Sequence, residues 1–163
     1  MTSTIEIKLN YFLHRPKLSR NVDWAVSMLE QGHDSQHLRI LAGEIEPHNR
    51  HEIIRFTKAA FNELGFELVT GPEILVEYTG EVVADYIRGD ISTGLLLDKL
   101  CSICIEAGYE SQLYDFYSLY FAYEQVKSGY SDTYWGCKDY PELKSEVIRV
   151  AYEWIEDHKP NGE

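Results

Sequence analysis

Cysteine is scarce in this chain: Cys101, Cys104 and Cys137 are the three among 163 residues. An odd number of thiols, confined to the C-terminal part, makes no disulfide framework, and a reducing cytoplasm is the location this usage suggests. Long apolar runs are also missing, and no stretch approaches the ~20 residues of a membrane span. The opening Met1-Thr-Ser-Thr-Ile-Glu-Ile-Lys has no basic segment followed by an apolar run, so no signal peptide is expected. Cations are few: 15 Lys and Arg face 27 Asp and Glu, for a net charge of −12 and a pI near 4.9. That balance disfavours nucleic acid as a direct partner, because phosphates need clustered Lys and Arg. An anionic membrane surface is disfavoured for the same reason.

Signatures of catalysis are absent as well. The sequence holds no GxSxG, no glycine-rich phosphate loop, no HExxH and no Cys–His pair with local support. Cys101-Ser-Ile-Cys104 is a CxxC, but redox proteins place that motif at a helix N-terminus, where the dipole lowers the thiol pKa. Here it falls about two turns inside an apolar helical pattern, which fits packing cysteines. A zinc site needs a second pair, and Cys137 alone does not supply one. His33 with His37, and His48 with His51, have spacings that can clasp a metal on a helix. Gly32 and Asp34 place His33 in a turn, however, and solvated residues near helix ends are the simpler reading. Neither an enzyme, a cofactor nor a metal is indicated.

What the chain does have is apolar and aromatic bulk in an acidic setting. Hydrophobic residues make up 44% and aromatics 13%, so this is no disordered acidic tail. A chain of this length forms one ordinary domain, residues 1–163. The charge is segregated: residues 1–65 carry eight cations and eight anions, whereas residues 66–163 carry seven cations and nineteen anions. That second stretch also holds Tyr109, Tyr114, Phe116, Tyr117, Tyr120, Phe121, Tyr123, Tyr130, Tyr134, Trp135 and Tyr140.

Glycine and proline punctuate the chain, and helical spacing fills the gaps between them. Ile5, Ile7, Leu9 and Tyr11 alternate like a strand, although a short helix also fits. Asn21 reads as an N-cap for a helix with Val22, Ala25, Val26 and Leu29 on one face, stopped by Gly32. Ser35 caps a short helix ending at Gly43. Pro47 opens a helix whose stripe is Ile53, Phe56, Thr57, Ala60, Phe61 and Leu64. Residues 66–70 read as an extended connector. From Pro72, a helix carries Leu75, Tyr78, Val82 and Tyr86 on one face. Glu73, Glu77, Glu81 and Asp85 line another at i, i+4 spacing, where like charges cost helix stability unless solvated or met by cations. Ser92 or Thr93 caps a helix apolar nearly all round, which suits a core position. Residues 111–128 form the next helix, with Leu113, Phe116, Tyr117, Tyr120 and Phe121 facing inward. Residues 129–140 have no period and read as a loop. Pro141 opens the last helix, with Leu143, Val147, Val150, Ala151 and Trp154 on one face. The fold class is therefore all-α: an irregular bundle of about seven helices, with the extreme N-terminus open to a short strand.

The loop is the most unusual segment. Tyr130, Tyr134, Trp135 and Tyr140 alternate with Asp132, Lys138 and Asp139, and either pack inward or form an exposed recognition element. The stretch from Asp23-Trp-Ala-Val-Ser-Met-Leu to Leu38-Arg-Ile-Leu-Ala-Gly43, followed by Asn62-Glu-Leu-Gly65, resembles a group of small helical bacterial proteins. Their shared pattern is a helix ending in Gly-x-Asp-Ser, then Leu-Arg-x-Leu-Ala-Gly, then a helix ending in Glu-Leu-Gly. Some of them resemble cytoplasmic immunity proteins of contact-dependent or polymorphic toxin systems.

The resemblance implies a helical scaffold that binds and neutralises a cognate toxin domain. A basic nuclease such as an RNase suits the charge, since acidic groups steer and aromatics anchor. Tyr130, Asp132, Tyr134, Trp135, Asp139, Tyr140, Glu77, Glu81 and Asp85 are the candidate partner-binding residues. A small-ligand-binding or enzymatic bundle, a protein-interaction adaptor unrelated to toxins, and a generally acidic solvated surface are the alternatives.

Overall fold

In a computed structural model, residues 3–68 and 71–158 are described. Eight α-helices occur among them, and no strand does. Two compact units divide the chain, Met1–Tyr78 and Thr79–Glu163.

The first unit begins with α1, Thr4–Phe12, capped by the Ser3 hydroxyl on the Glu6 N–H. The alternating pattern of residues 5–11 therefore belongs to a helix: Ile7 and Leu9 are buried, and the Trp24 indole donates to Thr4 Oγ1 at 3.0 Å. Helix α2, Leu18–Glu30, starts a turn earlier than the spacing predicts. Asn21 is no N-cap but lies fully buried on its core face, where Nδ2 donates to Tyr11 Oη and Thr57 Oγ1, each at 2.9 Å. Ser35 caps α3, Gln36–Ala42, as expected. Helix α4, Arg50–Glu63, is capped by Asn49, so Pro47 belongs to the connection before it. Trp24, Ala25, Leu38, Leu41, Ile53 and Phe61 form the core of this unit, with the Trp24 and Phe61 rings 4.6 Å apart. The connector after α4 is non-helical over residues 66–68; residues 69–70 of the expected extended segment lie outside the described residues.

Helix α5, Glu73–Arg88, follows Pro72 directly. Leu75, Tyr78, Val82 and Tyr86 are buried along it, as their spacing predicts. The second unit then adds α6, Thr93–Glu106, a 3-10 turn at Ser111–Leu113, α7, Tyr114–Lys127, and α8, Tyr140–Asp157. Ser92, rather than Thr93, caps α6 through the Leu95 N–H. Helix α6 packs along α7, and α7 along α8. Leu96, Leu97, Leu100, Phe116, Leu119, Leu143, Val147 and Ala151 are completely buried and form the core here. Burying each of the Leu, Val and Phe side chains supplies ~1.5–3 kcal/mol before the entropy of ordering is counted. Asp139 caps α8, accepting from the Glu142 N–H at 2.9 Å, and Pro141 sits in its first turn. Among the described residues, no helix is long and apolar enough to cross a membrane.

Candidate functional site

Helix α7 departs most from the pattern read in the sequence. Leu113, Phe116, Leu119 and Ala122 are buried, but Phe121 is 43% exposed and Tyr117 and Tyr120 are only half-buried. The inward stripe is thus rotated away from Tyr117 and Phe121, and an aromatic row faces out. Tyr114 and Tyr117 lie 5.3 Å apart by ring centroids, Tyr117 and Phe121 4.9 Å, and Tyr120 and Phe121 5.5 Å.

The row begins before the helix. Gly108 and Tyr109 are both left-handed, with φ of 82° and 64°. A non-glycine residue in that region costs ~1–2 kcal/mol. The Tyr109 N–H donates to the Cys104 carbonyl at 2.7 Å, and its ring meets Tyr117 edge-on at 5.5 Å, yet Tyr109 stays 54% exposed. These two contacts offset the backbone cost and hold an exposed ring at the head of α7. Leu95 and Ile105 of α6 are exposed too.

The loop between α7 and α8 carries further exposed rings. Gln125, one turn beyond Phe121, accepts from the Tyr134 backbone N–H through its side-chain oxygen at 2.6 Å. Thr133 is buried and donates from Oγ1 to the Cys137 carbonyl at 2.8 Å, while Gly136 takes the φ of 84° that the turn requires. With Thr133 and Cys137 turned in, Tyr130 and Tyr134 are turned out, Tyr134 to 70% exposure. Trp135 is half-buried, and its indole N–H donates to Glu146 Oε2 at 3.1 Å. The loop is therefore neither wholly packed down nor wholly free: alternate side chains anchor it and leave Tyr130, Asp132 and Tyr134 on the outside.

The remaining candidates fall on α5 and at the start of α8. Asp139 caps α8. Tyr140 opens α8, with its ring 6.4 Å from Tyr123, and lines a separate hollow of about 380 Å³ with Tyr86, Lys144 and Tyr152. Glu77 is exposed on α5 in the Met1–Tyr78 unit. Glu81 and Asp85 follow on the same helix, where Asp85 pairs with Arg88. Glu73 turns back to accept from the Gly71 N–H at 2.8 Å, so the acidic row of α5 is partly consumed by local contacts.

The second unit's arginines are occupied by their own acids. Arg88 contacts Asp85 and Asp90, and Arg149 contacts Glu146 and Glu153. Hydrogen bonds to Glu146 and Glu153 raise the Arg149 pKa, and the bonds from Arg149 and then Trp135 lower that of Glu146. The residues from Thr79 onward hold sixteen Asp and Glu against seven Lys and Arg, so the exposed rings sit in a strongly anionic unit.

The CxxC is interior to α6. Burial, with some repulsion from Cys104 and Asp98, pushes the Cys101 thiol up to about 11, and burial raises Cys104 as well. Neither is poised as a nucleophile. His37 Nδ1 lies 2.6 Å from Glu63 Oε1. Among the described residues, no group of three or more His, Cys, Asp or Glu side chains is arranged to hold a metal ion. No protein-family profile, curated protein or solved structure matches the chain.

Proposed function

We propose that this chain is a binding protein of the immunity type. It captures a basic toxin domain of the nuclease class and neutralises it by occupying the surface that meets phosphates. It acts by binding rather than by turnover, and it acts in the cytoplasm. The observation that carries this reading is the row of outward-facing rings from Tyr109 through Tyr117 to Phe121, with Tyr130 and Tyr134 exposed on the following loop, in a unit with a large excess of carboxylates. Tyrosine anchors large contact area at low conformational cost, and a surface of one sign steers an oppositely charged partner at high rate. A nuclease must present Lys and Arg, which is the complementary surface.

The test is co-purification with the tagged chain from its native host at low salt, followed by stepwise elution. One basic protein at equal stoichiometry, released as salt rises, is the predicted result. A neutral or acidic partner, or retention that is independent of salt, contradicts it.

A further inference from the structure

Between α6 and α7 lies a hollow of about 520 Å³, bounded by Gly94, Asp98, Tyr120, Tyr123, Glu124 and Lys127 among others. Its composition is that of a cation acceptor. Lys127 Nζ already sits 5.8 Å from the centre of the Tyr123 ring and 3.4 Å from Glu124 Oε1. The ion pair is exposed at both ends and therefore weak. Asp98, Glu124 and Tyr120 share its lining, and the Tyr120 hydroxyl is raised in pKa, first by burial and then by Glu124 and Asp98. Gly94 is what lets Tyr123 lie there: a Cβ at that position would meet the Tyr123 hydroxyl at 2.6 Å. The exposed Tyr117–Phe121 row adjoins the hollow through Tyr120.

We propose that this hollow accepts an arginine side chain of the basic protein partner, the guanidinium lying against Tyr120 and Tyr123 and pairing with Asp98 and Glu124 as Lys127 gives way. The assignment rests on the proposed capture of a basic domain and names what that domain presents. Arginine fits better than lysine because a planar guanidinium stacks on rings and bridges carboxylates bidentately, whereas an ammonium is a compact, strongly hydrated point charge. A second copy of this chain is disfavoured as the occupant, since its net charge of −12 would repel.

The test uses fluorescence anisotropy with the full chain and labelled nonaarginine and nonalysine peptides. The wild type binds the arginine peptide about threefold to tenfold more tightly. Lys127→Gln strengthens arginine binding by more than Lys144→Gln, which makes the same charge change outside the hollow. Asp98→Asn weakens the preference for arginine, whereas Asp132→Asn weakens both peptides alike. Gly94→Ala, which displaces Tyr123, lowers the preference without changing charge; the exposed Asp98→Asn keeps the test valid if Gly94→Ala fails to fold. Equal affinity of the wild type for the two peptides, or a Lys127→Gln effect no larger than that of Lys144→Gln, overturns the arginine assignment alone. Failure of both peptides to bind at low salt overturns the basic-partner reading itself.

Discussion

The side-chain oxygen of Gln125 accepts a 2.6 Å hydrogen bond from the backbone N–H of Tyr134. That bond ties the α7–α8 loop, which carries the exposed Tyr130 and Tyr134, to the helix one turn past Phe121. A loop held this way has less entropy to lose when a partner docks. Gln125→Ala should cost ~0.5–1.5 kcal/mol of stability and speed hydrogen exchange at the Tyr134 amide. Partner affinity should fall by about threefold to tenfold. Unchanged exchange at that amide would show that the loop is held by other contacts.

Helix α7 has one buried and one outward face, so substitutions on the two should separate the proposed binding role from stability. Phe116→Ala removes a completely buried ring and should destabilise by ~3–5 kcal/mol. Phe121→Ala, on the exposed face, should stay within about 0.5–1 kcal/mol in urea unfolding. The same Phe121→Ala chain should bind its partner at least about tenfold more weakly. If Phe121→Ala unfolds the protein as readily as Phe116→Ala, the outward row is structural.

Acid sensitivity should appear in the first unit at Glu63. The hydrogen bond with His37, then those with Ser35 and the His37 N–H, holds the Glu63 carboxyl down at about 2, from an ordinary 4.5. A carboxylate lowered on folding stabilises above its unfolded pKa, and that contribution is lost as pH falls through its folded value. The effect should therefore fade between about pH 4.5 and 2. Carboxyl NMR titration of His37→Ala should return Glu63 toward its ordinary value, and no movement would refute the pairing.

All three thiols are buried, and burial raises the pKa of each. Ellman's reagent at pH 8 should label the native chain slowly and the urea-unfolded chain rapidly, because the thiolate is the reacting form. Rapid labelling of Cys101 in the native state would place the CxxC within reach of chemistry instead of packing.

Helical class, the Ser35 cap and the α8 face were legible because spacing and capping chemistry agree there. Asn21 was misread because asparagine favours N-caps. It sits, however, at i, i+3, i+4 and i+7 with Trp24, Ala25 and Met28, and that core spacing outweighs propensity. The outward face of α7 was missed because aromatic residues populate both sides of the helix. The discriminating signal was the run Leu113, Phe116, Leu119 and Ala122, which lacks hydroxyls, beside tyrosines whose O–H prefers water. At the N-terminus the alternation fits a strand or a short helix, and the helix is what forms, because alternation over so few residues also suits a helix of which only part is buried. The loop's geometry depends on Gln125 and Thr133 reaching the backbone, and no period encodes that.

The most direct measurement is amide hydrogen exchange on the complex recovered by co-purification, set against the free chain. Protection concentrated on residues 109–125 and 130–135 is predicted. Protection confined to Met1–Tyr78, or a chain that recovers no basic partner at all, would contradict the claim that this acidic, aromatic face captures a basic protein.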